Sequence, residues 1–192
     1  MSTIAEPTRL TPAQYLAFER ASEHRHEFID GALTLMSGAS RNHDKIIYNI
    51  VRVIDPLLLD RPGDYFSASM RVRAGVSCFY PDLTVVADEP RFEDDTFDTL
   101  VNPAILVEVL SPSTEALDRG RKADEYRRLA SVTDYLLIAQ DRVKVEHWSR
   151  RGEAWTMVEL GGIDDSIRLD ALGLEITLRQ VYAKVSLPGG GA

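Results

Sequence analysis

The segment Ala104 to Leu110, reading Ala-Ile-Leu-Val-Glu-Val-Leu, constrains the fold more than any other. It is a short apolar run rich in β-branched residues and bounded by Pro103 and Pro112. That is the pattern of a buried strand. Glu108 stands in its middle with apolar neighbours on both parities. A lone carboxylate there is costly to bury unless it is paired or holds a cation. Either Glu108 lies on a solvated strand face or it binds something.

A second short strand, Tyr80 to Ala87, carries Asp82, and Pro81 suits a strand start. Downstream, Ser113-Thr114-Glu115 opens a helix to about Ala130 that carries Lys122. Adjacent strands lie about 4.8 Å apart. If these two strands pair, carboxylates on one face converge on a single divalent cation. Oxygen-only ligands favour Mg²⁺, with Mn²⁺ as substitute, and leave positions for water and a substrate phosphate. The backbone carbonyl of Val109 offers a further oxygen. Such a cation would lower the pKa of a bound water, and Lys122 could orient that water or steady the oxyanion. Lys122 follows Arg119 by three residues and precedes Tyr126 by four, so the three share one helix side. Each residue has a bland alternative. Asp82 could accept backbone N–H groups at a strand start, and Lys122 could lie on a solvated helix face. Their joint occurrence points to chemistry.

The other elements follow from local signals. Thr11-Pro12-Ala13-Gln14 starts a helix with Tyr15, Leu16, Phe18 and Ala21 on its apolar side. Glu27 to Met36 reads as a hairpin about Asp30-Gly31. A helix over His43 to Leu59 carries Ile46, Ile47, Ile50, Val51 and Ile54, with Asn42 as N-cap and Pro56 kinking or ending it. Tyr65 to Ala74 alternates as one strand, with Ser67, Ser69, Arg71 and Arg73 on one face. Glu89 to Asp98 reads as a solvated acidic connection. Tyr135 to Ala139 is apolar throughout, hence a central strand. Lys144 to Ser149 and Ala154 to Glu159 form a C-terminal hairpin, where Trp148 and Trp155 are core or dimer-interface residues. Thr177 to Lys184 is a short helix. The order predicts an α/β (α+β) fold, a mixed central sheet flanked by helices with N-terminal and C-terminal hairpins. One domain is expected over residues 8–185, with flexible termini at 1–7 and 186–192.

Bulk properties narrow the function classes. The 192 residues include one cysteine, Cys78. That precludes an intrachain disulfide and suits a reducing, cytoplasmic setting. No apolar run approaches the roughly 20 residues of a membrane helix. The net charge of −8, from 22 Lys+Arg against 30 Asp+Glu, argues against a broad basic surface coating nucleic acid. It permits a local phosphate site.

Several of these stretches together resemble the Uma-two family of the PD-(D/E)XK nuclease superfamily. They are Tyr80-Pro81-Asp82-Leu83, Leu106 to Thr114, and Asp118-Arg119-Gly120-Arg121-Lys122 with Tyr126. Glu27-Phe28-Ile29-Asp30-Gly31 and the helix opened by Asn42-His43 are similar to its N-terminal signature. The resemblance spans about Thr11 to Lys184. It implies a restriction-endonuclease-like fold and a Mg²⁺-dependent phosphodiesterase site built on Asp82 and Glu108, acting on nucleic acid, DNA first. In the superfamily pattern a lysine stands two residues after the glutamate. Here that position is Leu110, and Lys122 is the expected substitute. Glu27 is a further candidate for the acidic set. His43 either faces the phosphate or caps its helix, and Arg119 and Tyr126 are candidate substrate contacts. A homodimer is compatible with cutting both strands. The alternative is a catalytically inactive nucleic-acid- or protein-binding module on the same fold.

Overall fold

The computed structural model describes residues 9–36 and 38–188. Helix α1 (Pro12–Ala21) opens with a capping box. Thr11 Oγ1 accepts from the Gln14 N–H at 3.2 Å, and Gln14 Oε1 accepts from the Thr11 N–H at 2.8 Å. Tyr15 and Leu16 are buried, whereas Phe18 and Ala21, expected on the apolar side, face solvent. Tyr15 instead stacks on Phe28 of β1 (His26–Ile29), with centroids 4.7 Å apart. β1 pairs with β2 (Ala32–Leu35) through Asp30-Gly31, whose φ values of 49° and 90° are those the hairpin signal requires.

Helix α2 (Arg41–Leu58) starts earlier than expected. Ser40, not Asn42, is its N-cap and accepts from the His43 N–H at 3.1 Å. Pro56 falls in the last turn and does not end the helix. The stretch Tyr65 to Ala74 is not one strand. The Met70 N–H bonds to the Ser67 carbonyl at 3.1 Å. This turn splits β3 (Asp64–Ser67) from β4 (Arg71–Ala74) and sends them to different sheets.

Then follow β5 (Ser77–Phe79), β6 (Leu83–Val86), β7 (Thr99–Leu100) and β8 (Ile105–Leu110). A continuous helical segment comes next: α3 (Glu115–Leu117), a π-helical turn (Asp118–Lys122) and α4 (Ala123–Arg128). The chain ends with β9 (Asp134–Ala139), β10 (Val145–Arg151), β11 (Ala154–Leu160), β12 (Ser166–Leu169), β13 (Leu174–Thr177) and α5 (Leu178–Val181). β7 and the β12–β13 hairpin escaped the sequence reading because two to four residues are too few to display a period.

The six-stranded sheet runs β11-β10-β9-β8-β6-β3 and is parallel only between β8 and β9. Every residue of β8 and β9 is buried. On one face Ile105, Val107 and Val109 of β8 pack with Ile46, Ile50 and Ile54 of α2 and with Leu178 and Val181 of α5. On the other, Leu106 and Leu110 pack with Ala123 and Tyr126 of α4 and with Val72, Phe79 and Leu100 of the five-stranded sheet β2-β1-β5-β4-β7. The mixed sheet flanked by helices is therefore as expected. Trp148 and Trp155 are half-buried against this second core, each beneath an arginine, with Arg127 4.4 Å and Arg150 4.7 Å from the ring centroids.

The acidic connection is largely exposed, as expected, and is also pinned by ion pairs. Glu93 pairs with Arg73 at 2.7 Å, and Arg20 holds Asp94 and Asp98 at 2.8 Å each. Arg71, which was expected on a strand face with Arg73, is buried beside Asp98, Thr99 and Tyr80. Of the termini expected to be flexible, Ser186 is tied back, its carbonyl accepting from Asn42 Nδ2 at 2.8 Å. Residues 1–7 and 189–192 lie outside the described residues. Among the described residues no helix is long and apolar enough to cross a membrane.

Candidate active site

The antiparallel pairing of β6 with β8 sets Leu83 opposite Val107. Asp82, the residue before β6, therefore lies beside the Glu108 stretch of β8, close enough for its charge to act on the Glu108 carboxyl. Asp82 ends the approach to β6, and its Oδ2 accepts from the Val109 N–H at 2.7 Å. The structural reading of a strand-start aspartate thus holds at that oxygen. His43 Nε2 lies 2.9 Å from the same Oδ2. Ser40 performs the capping, so His43 is released to face the carboxylate. Burial alone would pull the His43 imidazole down, but hydrogen bonding and charge from Asp82 outweigh it and hold the imidazole above its usual value.

Glu108 is not solvated: it is 3 % exposed. Its Oε1 takes Lys122 Nζ at 3.2 Å and the Tyr126 hydroxyl at 3.2 Å. Lys122, 4 % exposed, is no surface residue either. Its Nζ also meets Glu27 Oε1 at 2.8 Å and Asp118 Oδ1 at 3.0 Å. Glu27, on β1, joins the site from the other sheet, and the Tyr80 N–H reaches its Oε1 at 3.4 Å. Burial pushes the Glu108 carboxyl well above its usual range. Lys122 opposes this, while Asp82, Asp118 and Glu27 add to it. Burial would lower Lys122, yet Glu108, Glu27 and Asp118 together raise it well above an ordinary lysine. Lys122 is therefore a fixed cation and not a base.

The remaining candidates divide. Tyr126 is fully buried behind Glu108 and holds that carboxylate, away from the surface a substrate would touch. Arg119 does not share the side of Lys122. Its guanidinium lies 2.9 Å from Glu146 and also pairs with Glu115. The π-helical turn explains this, because its wider winding rotates Arg119 off the line of Lys122 and Tyr126. Leu110 is 6 % exposed and packs in the core, so no cation stands two residues after Glu108.

Sequence reasoning missed Asp118, although its spacing of four from Lys122 on a helix was the available signal. It also missed a supporting network with no local signature. Glu19 Oε1 accepts from the Tyr80 hydroxyl at 2.8 Å and from the His26 N–H at 2.8 Å, and the Tyr80 hydroxyl in turn receives Arg71 at 3.3 Å.

Glu27, His43, Tyr80, Asp82, Glu108 and Lys122 line a cleft of about 1360 Å³. Hydrogen bonds to Glu108 fall on Oε1 and those to Asp82 on Oδ2. Among the described residues this leaves Glu108 Oε2 and Asp82 Oδ1 uncommitted. Among the described residues no three His, Cys, Asp or Glu side chains are arranged to hold a metal ion. Two hard oxygens from adjacent strands nevertheless suit Mg²⁺, which keeps several waters and takes one or two carboxylates. The Val109 N–H is committed to Asp82.

Fold and cluster define a mixed α/β protein with a buried centre of carboxylates around one lysine. The chain belongs to the Uma2 family, whose model, described as "Putative restriction endonuclease", matches residues 12–179. An uncharacterized protein of Synechocystis sp. (strain ATCC 27184 / PCC 6803 / Kazusa), sll1609, is 36% identical over 165 residues, 84% of this chain and 93% of that one. A second from the same organism, slr1290, is 28% identical over 176 residues, 91% of this chain and 92% of that one. The crystal structure of a "putative nuclease belonging to DUF820" from Anabaena variabilis ATCC 29413 shares the fold. Its TM-score is 0.72 at 16% identity, covering 91% of this chain and 98% of that one.

Proposed function

We propose that this chain hydrolyses phosphodiester bonds of nucleic acid, DNA first, with a Mg²⁺ ion held by Asp82 and Glu108. The observation that carries the reading is the neighbouring carboxylates of Asp82 and Glu108, each with an uncommitted oxygen, beside a lysine that three acids hold in its charged form, all lining one open cleft. When bound, the cation supplies Lewis acidity to the phosphoryl group and acidity to a water. The side chains provide the rest. Tyr126 and Lys122 fix Glu108 through Oε1, so Oε2 is presented to the cleft. His43 and the Val109 N–H fix Asp82 in the same way. Glu27, held at Oε1 by Lys122 and Tyr80, offers its other oxygen to orient the attacking water. Lys122 offsets the negative charge that gathers as phosphate approaches four carboxylates.

The test is cleavage of supercoiled plasmid and single-stranded DNA with Mg²⁺ or Mn²⁺. Asp82→Asn and Glu108→Gln should each lower the rate by about a hundredfold or more. Equal background from wild type and both variants would reject the reading. One observation favours the inactive binding module instead: each ammonium hydrogen of Lys122 already has a carboxylate partner. Nucleic-acid binding in chelator, with no Mn²⁺ uptake by calorimetry, would select that alternative.

A further inference from the structure

The cleft holds about 1360 Å³, more than the roughly 300–1,000 Å³ of small-molecule sites. Its chemical groups lie deep. Glu108 and Lys122 are 3 % and 4 % exposed, and the side chains of Asp82 and His43 keep 16% and 14%. A phosphate on a double helix is flanked by the partner strand and by stacked bases, which hinder its approach to groups this covered. A phosphate of an unpaired strand has no such flank, which is why enzymes that work deep in a pocket take nucleotides out of the duplex.

One wall is α2, used on two sides. Ile46, Ile50 and Ile54 enter the core. His43, Ile47 and Val51 follow one another at helical spacing along the cleft, with Tyr48 beside them. Tyr48 is 68% exposed, the most exposed aromatic ring among the described residues. Nothing in the fold requires an aromatic ring there. From His43 to Tyr48 the helix rises about 7.5 Å, the reach of one nucleotide from phosphorus to base. Arg25 and Arg41 also line the cleft and make no ion pair among the described residues. Asp44, Glu115 and Asp141 line it too, but each lies beside a partner of its own, His43, Arg119 and Arg142, so Arg25 and Arg41 are left to meet an anionic polymer.

Resting on the nucleic-acid reading above, we infer that the substrate is an unpaired strand. Tyr48 stacks on the base next to the phosphate held over Asp82 and Glu108, and Arg25 and Arg41 meet the flanking phosphates. Stacking on one ring tolerates any base, so this contact selects unpaired over paired nucleic acid and not sequence.

Fluorescence anisotropy in chelator tests this, with a labelled single strand, the same sequence as duplex, and the same strand carrying abasic sites. The single strand should bind about tenfold or more tighter than the duplex. Tyr48→Ala should weaken single-strand binding by about five- to a hundredfold, the range for loss of one base–aromatic stack. Tyr48→Phe should bind as wild type, and the abasic strand should bind both variants equally. Tight single-strand binding unchanged in Tyr48→Ala overturns the stacking assignment alone. Duplex bound as tightly as single strand overturns the substrate class. No binding of any nucleic acid by wild type overturns this inference together with the function it rests on.

Discussion

Lys122 Nζ lies 2.8 Å from Glu27 Oε1, and this contact joins the two large sheets at the floor of the cleft. Glu27 comes from the five-stranded sheet, while Glu108 and Asp82 come from the six-stranded one or its approach. The lysine is both the local counter-charge and the fastener between layers.

Replacing Lys122 by methionine leaves Glu27, Glu108 and Asp118 buried without their cation. Unfolding free energy should fall by about 3–5 kcal/mol, the cost of removing one partner of a buried ion pair. Urea denaturation near neutral pH measures it. A Lys122→Met protein as stable as wild type would show that the carboxylates balance their charge without the lysine.

Asp98 links stability to pH. The Arg20 hydrogen bond first, and Arg71 with it, hold its carboxyl well below the usual carboxylate range. The folded pKa is below the unfolded one, so the stabilisation is present above the unfolded value of about 3.9. It is lost as pH falls through the folded value. Asp98→Asn should be less stable than wild type by about 1 kcal/mol at neutral pH, a figure kept small because Asp98 is partly exposed. Thermal unfolding across the acid range should show that difference shrinking as pH drops. A constant difference would assign the effect to shape rather than charge.

Cys78 is fully buried, and burial pushes its thiol up to about 12. The native protein should resist alkylation and disulfide reagents at mildly alkaline pH and react fully once unfolded. Rapid stoichiometric labelling of native protein, followed by mass spectrometry, would contradict the packing around Phe28 and Tyr15.

Arg119→Ala should leave cleavage rate and nucleic-acid affinity near wild type, because the guanidinium is engaged by Glu146 and Glu115 and Arg119 itself does not line the cleft. Its stability cost should not exceed about 1 kcal/mol, as for other exposed pairs. A tenfold or larger loss of affinity would return Arg119 to the substrate path.

What the sequence disclosed and what it hid have a common cause. Strand alternation has a fixed period of two, so the two buried faces of β6 and β8 follow from the sequence, and their pairing brings Asp82 close to Glu108. The apolar runs of β8 and β9 announced a central, doubly covered sheet in the same way. Helix phase is less secure, and one π-helical turn was enough to separate Arg119 from Lys122. The turn at Ser67-Ala68-Ser69-Met70 carries neither Gly nor Pro, so alternation ran through it unchecked. The Glu19, His26, Tyr80 and Arg71 network has no local pattern at all. Each member reads as an ordinary surface residue until α1 and the strands are brought together.

The position of Lys122 in the chain has a consequence for synthesis. Glu27, Glu108 and Asp118 all leave the ribosome before the one lysine that pairs with all three. Until it emerges, these acids are best left hydrated, and the layers they belong to have reason to stay apart. The centre therefore closes late, and a truncated polypeptide ending ahead of Lys122 would carry the acids without the means to bury them.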